Sequence, residues 1–149
     1  MRNLVRGLIV VLLVMGASTL GAQDQKSVPI TRLYTGADGL SHFETTEIKF
    51  SSIPQYHAPN GVLESESAAS KKSYFVRAPQ AFFQDWHNAD VRRYVVTLRG
   101  RAEIEVSGGE KFVLRPGDVA LAEDLTGKGH IFRVVGDSEW VGLFVDLQK

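Results

Sequence analysis

Beyond its first twenty-odd residues the chain is a succession of short runs in which apolar and polar side chains alternate. Glu103-Ile104-Glu105-Val106 is the clearest of them. A period of two places successive side chains on opposite faces, one dry and one wet, which is the pattern of a half-buried strand. Runs of this kind, rich in β-branched and aromatic residues, predict strands at 30–34, 44–50, 73–77, 93–98, 102–106, 111–114, 119–122, 130–135 and 140–145. Ser107-Gly108-Gly109-Glu110 reads as a hairpin, and Arg115-Pro116-Gly117-Asp118 as a turn with φ set by proline. No stretch of the mature chain sustains a 3.6-residue apolar period, so the expected fold class is all-β, a sandwich or barrel. The segment 63–73 is rich in Ser, Ala and charge and is expected to be a surface loop, and 30–34 reads as an edge strand needing cover.

The N-terminus breaks this pattern. Arg2 and Arg6 precede a predominantly apolar region at 8–20, followed by Gly21, Ala22 and a polar stretch. This is the layout of a secretory signal peptide, 1–22, with cleavage expected after Ala22. Thirteen residues fall short of the roughly 20 that span a hydrocarbon core, and no cysteine follows to carry a lipid. Residues 23–149 are then one secreted or periplasmic domain with no membrane association after cleavage.

Composition narrows the chemistry. With 149 residues, 44% of them apolar and 23% charged, the chain suits a single globular core. Seventeen basic and seventeen acidic side chains balance, which excludes a global basic footprint for nucleic acid. The absence of cysteine removes disulfides, thiolate metal sites and thiol nucleophiles. Gly127-Lys128-Gly129 lacks the spacing of a phosphate-binding loop, and no Gly-x-Ser-x-Gly elbow is present.

One constellation remains. His87-Asn88-Ala89 is followed by Arg93, six further residues and Gly100; beyond the hairpin come Pro116-Gly117-Asp118, a strand and His130. Over about residues 75–146 this resembles a small single-domain cupin. The resemblance implies a double-stranded β-helix, or jelly-roll barrel, with motif side chains pointing into its mouth, and a homodimer. It also implies metal ligands at His87, 89, 93 and His130, but Ala89 and Arg93 occupy two of those positions. Two histidines fall short of the three protein ligands usual at a catalytic metal, and an inward arginine opposes a cation. No cofactor is favoured on this reading. The alternative is a divalent transition metal held by His87, His130 and a carboxylate outside the motif, with Asp85, Glu123, Asp124, His42 and His57 as conceivable donors.

Strand alternation puts Phe83, Asp85, His87 and Ala89 on one face, and Arg93, Val95 and Thr97 on the facing one, with His130, Phe132 and Val134 opposite. The expected site is an apolar cavity with a few convergent polar groups. His87 and His130 are its acid and base, since imidazole titrates near 6.5. Asp85 is the expected orienting partner of His87, and Arg93 the expected holder of an anion. Phe83, Thr97, Glu123, Lys128 and Phe132 complete the expected lining. Such a site suits binding of a small, anionic organic molecule with metal-independent proton transfer, as in an isomerase, dehydratase or cyclase. A metal-dependent oxygenase or isomerase and a non-catalytic binding module are the rival readings. Salt-bridged Arg93 and packed structural histidines are the bland ones.

Overall fold

The computed structural model describes residues 27–52 and 62–148. The expected signal peptide, its cleavage site and His57 lie outside them. Eleven strands are present among the described residues and no helix is long and apolar enough to cross a membrane. They are β1 (Ser27–Thr35), β2 (Ser41–Ser52), β3 (Leu63–Ser65), β4 (Ser70–Ala78), β5 (Phe83–His87), β6 (Arg93–Arg99), β7 (Ala102–Glu105), β8 (Lys111–Leu114), β9 (Val119–Glu123), β10 (His130–Val134) and β11 (Trp140–Leu147). They form a seven-stranded sheet, ordered β3-β2-β1-β9-β6-β11-β4, and a four-stranded sheet, ordered β5-β10-β7-β8. The all-β fold expected from the alternation and the jelly-roll barrel implied by the resemblance are thus present.

Alternation decides what lies between the sheets. Arg93, Val95 and Thr97 of β6 face inward, register with Ala122 and Ala120 of β9, and meet Asp146, Phe144 and Gly142 of β11. Ile104 and Val106 are buried across from them while Glu103 and Glu105 stay half-exposed, as their alternation predicts. Trp140 is fully buried at the centre, its ring meeting Phe132 and Phe144 edge-on. On the other face of the large sheet Ile30, Leu121 and Leu147 form a second apolar cluster with Ile48, Tyr94 and Val145.

Three expectations change. The segment 63–73 is not a loop throughout, because Leu63–Ser65 pairs with β2 and Ser70–Ala78 with β11. β4 is an edge strand whose residues 70–73 are all exposed; the polar composition that looks like a loop is the usual protection of a sheet edge. β1 is no edge, since β2 covers one side and β9 pairs in parallel on the other. β5, absent from the predicted strands, is almost wholly exposed and so shows no apolar run.

The connectivity brings one end of several strands together. His87 ends β5, His130 opens β10, Arg93 opens β6 and Asp146 lies near the end of β11. The histidines come from the small sheet and the ion pair from the large one.

Candidate functional site

Between these strand ends lies a cavity of about 490 Å³. Its walls are mainly apolar, with Leu33, Val95, Ile104, Leu114, Phe132 and Phe144 among them. The polar groups reaching it include Gln84, His87, Asn88, Asp90, Arg93 and His130. An apolar chamber with a few convergent polar groups is the usual form of a small-molecule site.

His87 and His130 are register partners across the β5–β10 ladder, with ring centroids 4.3 Å apart. Each has its Nδ1 committed. His87 Nδ1 lies 2.8 Å from the backbone oxygen of Asp85, which can only accept, so Nδ1 carries the proton. His130 Nδ1 lies 2.6 Å from Oδ2 of Asp124, a fully buried carboxylate that also accepts from Ser41 Oγ at 3.0 Å. Nε2 is therefore the ring nitrogen left free on both, with its lone pair available when the ring is neutral. Burial pushes the His87 pKa below its ordinary value, and the neighbouring His130 adds to the depression. The Asp85 carbonyl and the Asp124 charge oppose it without reversing it.

The loop before β10 is held by the segment that follows β5. Asn88 Nδ2 donates to the backbone oxygens of Asp124 and Thr126, and Ala89 N donates to that of Asp124. Gly129 adopts φ 77°, and a Cβ there would meet the His87 carbonyl oxygen at 2.1 Å. Only glycine lets the two histidine-bearing segments approach this closely.

Arg93 lines the cavity as expected, but its charge is matched. Its Nη2 pairs with the exposed Asp90, and its Nε lies 2.9 Å from Oδ1 of buried Asp146, without hydrogen-bond alignment. The guanidinium also sits 5.0 Å from the Phe144 ring centroid.

Several expected site residues are elsewhere. β10 advances two residues, from His130 to Phe132, while β5 retreats three, from His87 to Gln84. This β-bulge flips the parity of β5, so Gln84 rather than Phe83 or Asp85 shares the cavity face with His87. Phe83 is 56% exposed, and the Asp85 carboxylate accepts from the backbone of Trp86 instead of orienting His87. Thr97 is fully buried and accepts the indole N–H of Trp140 at 3.2 Å, which makes it a core partner. Glu123 joins Arg32 and Arg92 outside the cavity. Burial would raise its carboxyl, but the two guanidinium hydrogen bonds outweigh that and hold it below the ordinary range. Lys128 stands 4.0 Å over the Trp86 ring. Phe132 is placed as expected.

Asp124, Ser41, Asp90 and Asp146 are the contributors that alternation alone does not assign. Asp146 leaves a signal, an acid on the same parity as Trp140 and Phe144 in an otherwise apolar strand, which demands a buried cation.

The donors present do not fit a metal ion. Among the described residues no group of three His, Asp or Glu side chains converges, and Asp124 Oδ2 is already taken by Ser41 and His130. Arg93 lines the same chamber, where its guanidinium opposes a cation.

No family model matches the chain, and no curated protein does. Solved structures do. Ethanolamine utilization protein Q from Salmonella typhimurium is 18% identical, with 81% of this chain and 96% of that one covered and a TM-score of 0.42. The cupin domain of Drosophila melanogaster CENP-C is 16% identical over 66% of this chain and 69% of its own, with a TM-score of 0.41. The 4-keto-6-deoxy sugar epimerase NovW from Streptomyces spheroides is 14% identical over 77% and 67%, with a TM-score of 0.42. These likenesses are of fold alone.

Proposed function

We propose that the barrel binds a small organic acid and moves a proton next to its carbonyl group, with His87 and His130 as the exchanging pair. The observation that carries this reading is the pairing of two imidazoles, 4.3 Å apart at the cavity wall, both with Nδ1 committed and Nε2 free. Burial keeps His87 neutral at physiological pH, so its Nε2 is a base ready to take a proton from a carbon acid. His130 faces Asp124, which fixes its tautomer and would balance a positive charge on the ring. His87 Nε2 takes a proton from carbon while His130, entering the step with a proton on Nε2 beside the Asp124 carboxylate, delivers one to carbon in an isomerisation or to the departing hydroxyl in a dehydration.

Export belongs to the proposal. Arg2, Arg6 and the apolar run at 8–20 support cleavage after Ala22, which N-terminal sequencing of periplasmic protein checks.

The test is proton exchange. A panel of 2-keto and 3-keto acids is incubated in D2O with the protein, and loss of the carbon-bound proton is followed by NMR. Exchange with at least one acid, lost in both His87→Gln and His130→Gln, is expected. Exchange that survives both substitutions overturns the assignment. Binding to the cavity with no exchange for any acid favours a non-catalytic binding module.

A further inference from the structure

The three charges around Arg93 are not equivalent. Asp146 has a side chain only 2% exposed and is shared by two cations, Arg93 through Oδ1 at 2.9 Å and Lys72 through Oδ2 at 3.5 Å. Asp90 has a side chain 77% exposed and, among the described residues, pairs with Arg93 alone, through Nη2. It sits in the connection 88–92 between β5 and β6, and both it and Arg93 line the cavity. Lys72 offsets Asp146, so Asp90 is the charge that balances Arg93. An ion pair with one partner in water contributes little and is easily exchanged, whereas stripping a buried carboxylate of its cation is costly.

We propose that Asp90 is a displaceable internal counter-ion, occupying on Arg93 the place that a ligand's carboxylate takes on entering the cavity. The inference rests on the proposed reading of the barrel as a binding site for an organic acid, and it names the atom that holds the acid group. Arg93 keeps Asp146 as its permanent anchor, which fixes the guanidinium against Phe144. Nη2 then exchanges Asp90 for the incoming carboxylate, a charge-assisted bond of the same kind. Asp90 lowers affinity for every carboxylate by this competition. The aromatic wall of Phe82, Phe132 and Phe144 sets the preferred body of the ligand, a flat or branched apolar group.

The test uses benzoate and its neutral isostere benzamide, with affinity measured by calorimetry and the site by imidazole NMR signals. Asp90→Asn removes the competing charge from an exposed position without touching the buried pair. Benzoate is expected to bind Asp90→Asn about tenfold more tightly than the parent protein, with benzamide unchanged. The gain is expected to vanish when Arg93→Gln and Asp146→Asn are added together, a pair chosen so that no buried charge is orphaned. Equal affinities of the parent and Asp90→Asn for benzoate, with His87 or His130 signals still shifted, overturn the role of Asp90 alone. Equal gains for benzoate and benzamide do the same. If neither probe shifts those signals in any variant, the organic-acid reading of the cavity falls with it.

Discussion

His130 faces His87 across the β5–β10 ladder while its Nδ1 is bonded to Asp124, six residues earlier in the chain. The carboxylate is fully buried, and among the described residues Ser41 and His130 both bond to its Oδ2. Such an arrangement holds the ring in one tautomer but leaves it dependent on a single atom.

Replacing Asp124 by Asn tests that dependence. The amide keeps the volume and can still accept from Ser41, but it loses the charge that His130 Nδ1 meets. Hydrogen bonds to charged groups contribute about 1.5–3 kcal/mol, and a loss in that range is expected in urea unfolding. The Nδ1 proton signal of His130 should move upfield in the same variant. Stability unchanged from the parent sinks the assignment.

The approach of the two histidine segments through Gly129 predicts a second effect. Gly39 has nearly the same φ, 74°, with nothing within 4 Å of an added Cβ, so Gly39→Ala reports backbone strain alone, about 1–2 kcal/mol. Gly129→Ala adds a collision with the His87 carbonyl and should lose clearly more stability than Gly39→Ala. It should also displace the His87 and His130 ring signals. Equal losses in thermal or urea unfolding would mean that the close approach is not what requires glycine there.

Where the sequence predicted well, the cause was local. Arg93-Tyr94-Val95-Val96-Thr97 alternates, and both its strand and its inward face are as expected. β5 failed because a bulge between Gln84 and His87 inserts one residue into the pairing, and a period of two cannot survive an odd insertion. Asp85 and Phe83 were lost from the site by that single step. The partnership of Asp124 with Ser41 spans 83 residues and depends on β1 and β2 packing beside β9, which no local pattern encodes. Ser70, Lys71, Lys72 and Ser73 read as loop because an edge strand shows water the same residues a loop would.

Thr97 separates structure from binding. Its hydroxyl accepts the indole N–H of Trp140, and both residues are fully buried. Thr97→Val keeps the shape and leaves that N–H without an acceptor, at a cost of about 1–3 kcal/mol. Calorimetry should show benzoate affinity unchanged at a temperature where the variant is folded. A binding defect with full stability would return Thr97 to the list of ligand contacts.

His87 makes stability depend on pH in a defined direction. Burial depresses its folded pKa, so between the unfolded value of about 6.5 and the lower folded value the unfolded chain binds more protons. Stability is therefore complete above about pH 6.5, falls as pH drops through that window, and levels off once the folded ring is also charged. Asp124 and the Asp85 carbonyl temper the depression, while His130 deepens it. His87→Gln removes the titration and keeps a donor that can reach the Asp85 carbonyl. Urea unfolding at pH 8.0, 6.5 and 5.5 should show the parent losing more stability on acidification than the variant. Other groups titrate over the same range, but they are common to both proteins and cancel in the comparison. A variant that loses as much as the parent means that His87 is not held neutral by the barrel.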